Sequence, residues 1–452
     1  MLKTGTWKIL KISLLAFFTM SCATANTRMY REIDAAVSQD DFSSAVKIIE
    51  RGQEKIIARY SGKNAIMLFL DKGLLEHYAG NYAASSVDLQ NAERLIEEAY
   101  TKSITEGFFS YILNDNVKEY PGEDFENIYL NVFNALNYFH RGNLEGALVE
   151  IRKLSGQSGK LNMLAERYEY TDPNTGESLN DYARRETGVG QMPETRPVNF
   201  SNSALARFLC ALFYLGDGDH SSARIEFEQV HRAYRTNRNI YKGAVPAAVE
   251  EAQNVPEGMA RLNIISFTGL SPIKEQQLII HYLPFQHPVL QIAFFKLPVL
   301  VKRSSNINKI EVIIEGQNSF TLELLEDMGA VIEETYMARF SNIILKTYIR
   351  TITKYAVADV MAVITSEQQN ELAGLLIALA ARAGMDASES ADIRMSRYLP
   401  CKAYVGGINL DPGNYTVYIN YYNGNDLISR DVFDDVSVNK NALNLLRSVN
   451  LR

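Results

Sequence analysis

Two stretches of the chain have part of a ligand-binding motif, and neither is complete. Residues 155–161 end in Gly-Lys like a phosphate-binding loop, but Leu161 stands where that loop needs a hydroxyl side chain. Residues 172–176 have the Asp-x-Asn-x-Gly spacing that opens a calcium loop, yet the bidentate glutamate that closes such a loop is missing. We therefore predict neither a nucleotide site nor a calcium site here.

The other reactive side chains also lack a catalytic or metal-binding spacing. The six histidines include no i, i+4 pair with an intervening glutamate, and Cys210 and Cys401 are too far apart to suggest a ligand pair. Asp392 and Arg394 are expected to form a local ion pair at a strand edge. The sequence thus predicts no catalytic residue, no metal and no cofactor, and it favours a protein that is not an enzyme.

Composition limits the class of protein further. The chain has 452 residues, of which 22% are charged and 46% hydrophobic, with 46 Lys plus Arg against 53 Asp plus Glu. These values exclude a disordered polymer, a polytopic membrane protein and a short disulfide scaffold. A net charge of −7 without a basic stretch makes nucleic acid an unexpected partner.

The N-terminus has the pattern of a bacterial lipoprotein signal. Three lysines precede the apolar run 12–20, no acidic residue occurs before Glu32, and Cys22 follows the run almost directly. We predict a signal peptide over 1–21, acylation of Cys22 and a tether over 22–30, which would anchor the protein to the membrane through acyl chains. The expected location is the cell envelope, on the periplasmic face or surface of the outer membrane. The alternative is cleavage after 23–25, which would release a soluble protein.

One spacing occurs three times between residues 73 and 230. Each copy has a glycine, a small residue five positions later and a large apolar residue four positions after that. The aligned residues are Gly80, Ser85 and Leu89; Gly142, Ala147 and Ile151; Gly218, Ala223 and Phe227; and, in a weaker copy, Asp40, Ala45 and Ile49. This spacing is typical of tetratricopeptide helix pairs. It predicts an all-α tetratricopeptide-like helical repeat domain over 31–250, with a long insertion at 155–200.

The first helix of each predicted pair has an apolar stripe on the side that lines the groove of such arrays. The stripe consists of Met67, Leu70, Leu74, Tyr129, Val132, Leu136, Phe139, Leu205, Phe208, Leu212 and Leu215, with His77 beside them. Leaving it in water would forgo roughly 15 kcal/mol of hydrophobic stabilisation, so the stripe must be covered. Either other parts of the same chain bury it, or it is a binding groove for an apolar ligand or an amphipathic partner helix.

After residue 257 the hydrophobic period changes from helical to alternating. Short β-branched or alternating runs at 261–267, 277–282, 289–295, 309–314, 320–324 and 415–421 predict a β-rich, sandwich-like domain over 257–452. A helical insertion is predicted at 327–385. Its apolar run 372–381 is too short to cross a membrane and is expected either to pack against the sheet as a buried helix or to contact lipid or a partner. The predicted fold class is therefore α+β and multidomain.

Several short stretches resemble a group of uncharacterised bacterial lipoproteins with tetratricopeptide-like repeats. They are Asn199-Phe200, Ala206–Leu209, Ala223-Arg224, Gly269–Glu275, Leu325–Ala330, Ala391–Arg394, Leu399-Pro400 and the turn Pro412–Tyr415. Where that group has a tryptophan after the Asp-x-Arg stretch, this chain has Met395. The resemblance covers roughly residues 30–425. It implies an envelope location, no established activity, and an association with lipoproteins that stimulate peptidoglycan synthases.

Two functions follow as hypotheses. The first is a membrane-anchored lipoprotein that acts as a protein-interaction scaffold of the cell envelope, linked to the regulation of peptidoglycan synthesis and binding a protein partner through the helical array. The alternative is a periplasmic carrier of lipid or another apolar ligand that uses the apolar stripe. The sequence leaves the partner, the membrane leaflet and the oligomeric state open.

Overall fold

The computed structural model describes residues 30–60, 65–105, 120–156, 159–161, 200, 202–282, 285–286, 288–303, 305–368 and 370–452. The predicted signal peptide, Cys22 and most of the predicted insertion 155–200 lie outside these residues. The described chain is a mixed α+β protein, with helices in its N-terminal half and sheets in its C-terminal part, as the sequence predicts.

The N-terminal half is a row of helix pairs. In the part of this half that the structure describes, the helices are α1 (30–37), α2 (Phe42–Tyr60), α3 (Ala65–Tyr78), α4 (Tyr82–Thr105), α5 (Asp124–His140), α6 (Leu144–Ser155), α7 (Ala204–Gly216), α8 (His220–Thr236) and the short α9 (Ala247–Glu251). Helices α3 and α4, α5 and α6, and α7 and α8 pack as pairs across short turns. Successive pairs stack through α2 on α3, α4 on α5 and α6 on α7.

The three aligned glycines form the turns of these pairs. Gly80, Gly142 and Gly218 have φ values of 81°, 70° and 79°, a region that glycine enters without steric cost. In each turn the glycine N–H donates to the carbonyl three residues back, and the next N–H donates to the carbonyl five residues back. These two bonds define a Schellman motif. Asp40 makes the same two bonds at φ 58°, so the weaker fourth copy adopts the same turn without glycine.

The C-terminal part contains ten strands among the described residues. They are β1 (Ala260–Leu270), β2 (Ile273–Tyr282), β3 (Ile292–Val301), β4 (Lys309–Ile314), β5 (Phe320–Thr321), β6 (Glu323–Asp327), β7 (Pro400–Leu410), β8 (Gly413–Asn423), β9 (Asp426–Val438) and β10 (Asn444–Asn450). One sheet has the order β10-β1-β7-β6 and another the order β5-β4-β8-β9, while β2 and β3 pair only with each other. Strand β1 pairs in parallel with β10 and antiparallel with β7.

Strand β1 belongs to the middle one of three layers and is buried along both faces. Because side chains alternate along a strand, Leu262 and Ile264 point towards the sheet of β4 and β8, where they join its apolar core. Ile265 and Phe267 point the other way and belong to the core formed with the helices. The order of layers is therefore helices, sheet, sheet.

Helices α10 (Met328–Gln368) and α11 (Glu371–Ser388) form an antiparallel hairpin between β6 and β7. The β2–β3 hairpin packs along it, with Phe295 stacked on Tyr348 at 5.2 Å between ring centroids and Ala293 packed near Tyr355. We call β2, β3, α11 and the part of α10 from Tyr348 onward the arm. Among the described helices, none combines the length and the apolar character that spanning a bilayer requires.

Several predicted boundaries were wrong for identifiable reasons. The run 289–295 becomes a strand only from Ile292, because residues 288–290 form a 3-10 turn at the end of the hairpin. The run 320–324 is split between β5 and β6, which belong to different sheets. The apolar run 372–381 is not a buried helix on the sheet: Leu376 is 57% exposed to solvent on α11. Strands β7 and β10 were not predicted.

The close packing of α3 against α4 can be tested with two glycine substitutions. A Cβ added at Gly73 would lie 2.8 Å from a methyl group of the buried Leu89, whereas one added at Gly384 would meet nothing within 4 Å. We expect Gly73→Ala to lower the free energy of unfolding by about 1–3 kcal/mol through overpacking. Gly384→Ala is expected to raise it by about 0.5–1 kcal/mol through helix propensity. Urea denaturation followed by circular dichroism measures both, and equal effects at the two positions would contradict the close approach of α3 and α4.

Candidate functional site

The predicted apolar stripe lies inside the molecule. Nine of its side chains are buried, and Phe139 and Leu215 are half-buried. The buried members are Met67, Leu70, Leu74, Tyr129, Val132, Leu136, Leu205, Phe208 and Leu212. Elements of the C-terminal part cover them, for example Phe267 of β1, whose ring centroid is 5.1 Å from that of Phe133 on α5. These residues therefore form the core that joins the two halves and do not line an open groove in the described chain.

A carboxylate from the C-terminal part is bound by the helical half at this junction. Glu326, in β6, is fully buried, and its oxygens accept hydrogen bonds from the hydroxyls of Tyr129 (2.7 Å), Tyr241 (2.5 Å) and Ser203 (2.9 Å). The backbone N–H of Leu205 donates to it at 3.2 Å. All four donors belong to the helical half, so the carboxylate fixes β6 against the array.

The local structure explains why a carboxylate is stable there. Ser203 is the N-cap of α7, and the first N–H groups of a helix have no intrahelical acceptor. The positive end of the helix dipole also favours a negative charge at this point. Burial nevertheless raises the pKa of Glu326, because a charge removed from water is stabilised only in part by neutral donors.

A second contact is made by an extended segment that enters the inner face of the array. Residues 391–399, which we call the inserted segment, connect α11 to β7 without regular secondary structure. Asp71 of α3 accepts from the Ser396 hydroxyl (2.8 Å) and from the Arg397 backbone N–H (2.7 Å). Glu126 of α5 accepts from the Ser396 backbone N–H. Two carboxylates from the first helices of neighbouring pairs thus bind the main chain of the segment.

Both of these carboxyl groups have raised pKa values. Burial raises the pKa of Asp71 to about 6, and burial together with the neighbouring Glu123 raises that of Glu126 to about 7. The Tyr120 hydroxyl donates to Glu126 at 2.6 Å and opposes that shift. Protonation near neutral pH would therefore change the charge of the surface that receives the inserted segment.

Charged pairs surround the inserted segment. Arg339 of α10 donates to Asp124 at 2.7 Å, and Lys274 of β2 pairs with Glu123. The ion pair predicted between Asp392 and Arg394 is present and bidentate, with both N–O distances at 2.8 Å. It lies in the inserted segment and not at a strand edge, because the chain between α11 and β7 stays outside the sheets.

The lysine of the incomplete phosphate loop has a structural role. Lys160 donates to Glu93 of α4 at 2.8 Å and to the side-chain oxygens of Asn127 (2.7 Å) and Asn131 (2.5 Å) on α5. Burial alone would raise the pKa of Glu93, but Lys160 and Lys153 together lower it to about 2. These contacts connect α4, α5 and the end of α6. They also occupy the Lys160 ammonium group, which would otherwise have to bind the phosphate.

Cys210, Cys401 and His77 lie in buried or partly buried positions. Cys210 is a core thiol, and burial raises its pKa far above the ordinary value. Burial raises the pKa of Cys401 to about 11. Burial also lowers the pKa of His77 well below its usual range, and the ring of His77 contacts the Asn137 side chain at 2.6 Å. Within the described ranges no group of three His, Cys, Asp or Glu side chains is placed to hold a metal ion.

The sequence pattern predicts the apolar half of this junction but not its polar half. Glu326 and the inserted segment both lie in stretches quoted for the family resemblance, Leu325–Ala330 and Ala391–Arg394, but no role was assigned to them. A usable signal was Glu326 itself, an acidic residue that directly follows the apolar residues of a short strand. Its binding partners could not be identified, because Tyr129 is 197 residues away.

Comparison with known proteins supplies no family for this chain. No protein-family model matches it, and a search of the curated proteins finds no significant match. Function is therefore inferred from the residues and the geometry described above.

The Glu326 contact can be tested by its removal. Glu326→Ala would leave two tyrosine hydroxyls, a serine hydroxyl and a backbone N–H buried without their acceptor. We expect a loss of about 3 kcal/mol or more in the free energy of unfolding. Glu315→Ala, at an exposed glutamate of the same domain, should change it by less than about 0.5 kcal/mol. Equal effects of the two substitutions in urea denaturation would rule out the proposed importance of Glu326.

The raised pKa of Glu126 gives a pH-dependent test. The folded state binds this proton more tightly than the unfolded state, so its contribution to stability is largest below about pH 4.5 and is lost as the pH rises to about 7. We expect Glu126→Gln to remove a decrease on the order of 2–3 kcal/mol across this window. Urea denaturation at pH 4.5, 6 and 7.5 measures it. Glu228→Gln, at an exposed glutamate paired with Arg224, should leave the wild-type profile unchanged, whereas parallel profiles for wild type and Glu126→Gln would contradict the assignment.

Proposed function

We propose that this protein is a lipid-anchored scaffold of the bacterial cell envelope, built on a tetratricopeptide-like array and without enzymatic activity. Acylation of Cys22 would hold it at the membrane, and the folded body would position a protein partner there. The resemblance to envelope lipoproteins suggests that this partner belongs to the machinery that regulates peptidoglycan synthesis.

The observation that carries the proposal is the binding of the inserted segment by the array. Asp71 and Glu126 extend from the first helices of two pairs and accept from backbone N–H groups of an extended peptide. Tetratricopeptide arrays are expected to use this same inner face for protein recognition. Here the face is filled by the chain itself, so the array would serve to fix the C-terminal part, whose outer surfaces remain available to a partner.

The repeated turns also support an array. Within the described ranges, four helix pairs are joined by turns with the same Schellman hydrogen bonds, at Asp40, Gly80, Gly142 and Gly218. Repeats of this kind stack so that each pair contacts its neighbours, which produces an extended and rigid surface. A rigid body with many side chains buried at its internal junction suits a protein that holds other molecules in place.

A carrier of lipid or another apolar ligand has less support. A carrier needs an apolar cavity of roughly 300–1,000 Å³ that admits its ligand. The stripe expected to line that cavity is instead packed against the sheet through Phe267, Tyr129 and Glu326. Ligand entry would require separation of these buried contacts.

Anchoring is tested by metabolic labelling of the full chain in cells with a clickable fatty acid. We expect the wild-type protein to be labelled and to sediment with membranes, because two or more acyl chains anchor stably. Cys22→Ser should lose both label and sedimentation, and Cys401→Ser should retain both. Labelling that persists in Cys22→Ser would contradict the predicted acylation site.

The scaffold role is tested by chemical crosslinking in intact cells, followed by affinity capture of the full chain and mass spectrometry. We expect a protein partner that is recovered with the wild-type chain and depleted with Cys22→Ser. Recovery of no protein partner from native membranes would overturn the scaffold proposal. A gently purified chain that carries stoichiometric lipid beyond its own acyl groups would favour the carrier.

A further inference from the structure

Strand β2 of the arm has an open edge. It pairs with β3 from Ile273, opposite Val301, to Tyr282, opposite Ile292, and the register is unbroken. Among the described strands β3 is its one neighbour, since the two strands form a sheet by themselves. A strand at the edge of a sheet presents a row of N–H and C=O groups that point away from its neighbour. On the outer side of β2, these groups have no strand to pair with in the described part of the chain.

Both faces of β2 are also exposed beyond its first two residues. Every side chain from Glu275 to Ile280, and that of Tyr282, is open to solvent. Leu278, Ile280 and Tyr282 lie on one face with exposed fractions of 52%, 62% and 62%, and Ile279 lies on the other face with 41%. An antiparallel sheet ordinarily packs one of its faces on a core. A further strand beside β2 would therefore contact apolar side chains on both faces as well as the backbone edge.

The open edge of β2 lacks the features that prevent edge strands from pairing with other chains. Charged side chains, prolines, bulges and a very short length serve this purpose in natural sheets. Residues 276–282 include no Asp, Glu, Lys, Arg or Pro. The ladder with β3 has no bulge, and β2, with 10 residues, is longer than the roughly five or six that are usual for a strand. The edge is thus a ready template for a further strand.

The other edge strands among the described residues are protected. Strand β9 skips Asp434 and Asp435 in its register with β8, β6 has a bulge, and β5 is two residues long. Strand β10 contains Arg447, and β3 contains Lys296 and Pro298. Of the strands described, only β2 combines length, an uncharged sequence and an open edge. This contrast indicates that another strand covers the edge of β2.

The side chains of β2 favour a second copy of the same strand as the occupant. If a two-fold axis perpendicular to the sheet relates two antiparallel strands, a residue on the axis lies opposite itself. With the axis at Ile280, Leu278 of one copy lies opposite Tyr282 of the other. The three most exposed apolar side chains of β2 then form cross-strand pairs, and no like charges meet. Self-pairing requires this placement of apolar residues on both sides of one position, whereas a different partner strand does not.

We propose that two copies of this protein associate edge to edge through β2, forming a four-stranded antiparallel sheet in the order β3-β2-β2-β3. Such an interface is isologous, so the same edge serves both subunits and the association closes at a dimer. Hydrogen bonds between the two main chains supply affinity, and the alternating side chains fix the register. In this dimer the two arms lie side by side and run in opposite directions.

The test is disulfide formation by Ile280→Cys in the full chain, with copper phenanthroline added to intact cells. Residues directly opposite each other in an antiparallel pair have Cα atoms about 4.5–5.5 Å apart, a separation that a disulfide spans. We expect a reducible product of twice the chain mass in which the peptide with position 280 is linked to itself. Ile225→Cys, at a side chain 49% exposed on α8, should give no such product. No disulfide at position 280, a disulfide only to a different protein, or equal yields at the two positions would each overturn the proposal.

Charge substitutions at the same position separate loss of the interface from loss of folding. Ile280→Lys places two lysines opposite each other, so it should lower the capture of one tagged copy by a differently tagged copy at least about tenfold. Ile280→Glu should do the same, and co-expression of the two variants should restore capture because lysine then lies opposite glutamate. Thermal unfolding should stay near that of wild type in both, since the side chain is exposed. Capture that Ile280→Lys leaves unchanged, or that the mixture fails to restore, would overturn the assignment of the interface.

Discussion

The structure depends on the burial of carboxylates where the helices meet the sheets. Glu326, Asp71 and Glu126 lose their contact with water, and each accepts hydrogen bonds that form only when the two parts of the chain are correctly placed. A buried polar group without its partners costs about 1–3 kcal/mol, so any other arrangement of the two parts is penalised. These groups thereby select one relative position out of the many that apolar packing alone would permit.

Apolar packing also holds the helical and sheet parts of the chain together. The inner stripe of the array and the helical face of β1 form one continuous core, in which Phe133 and Phe267 are in contact. Hydrophobic burial is not directional, and it would tolerate small shifts of the sheet against the helices. The hydrogen bonds to Glu326 and to the inserted segment are directional. Together they make the helical and sheet parts a single body, which is the property that a scaffold requires.

The sequence predicted features that are encoded locally. Gly80, Gly142 and Gly218 could be assigned to turns because a left-handed residue after a helix is a local requirement, and the alternation in 309–314 directly gave β4. The stripe could be found because its period is helical. The partners of Glu326 could not be found, since they come from α5, from the start of α7 and from the loop between α8 and α9. The solvent exposure of the run 372–381 could not be predicted either, because an apolar helix face has the same period whether it is buried inside the protein or exposed at its surface.

The filling of the inner face by residues 391–399 has a consequence for biogenesis. During synthesis the helix pairs emerge first, while the strand that carries Glu326 follows Tyr129 by 197 residues. At a synthesis rate of about 5–20 residues per second, the apolar inner face of the newly made array would stay exposed for about 10–40 s. Contacts of such high sequence separation also form slowly. We therefore expect that a chaperone must bind the chain until its last third has been synthesised.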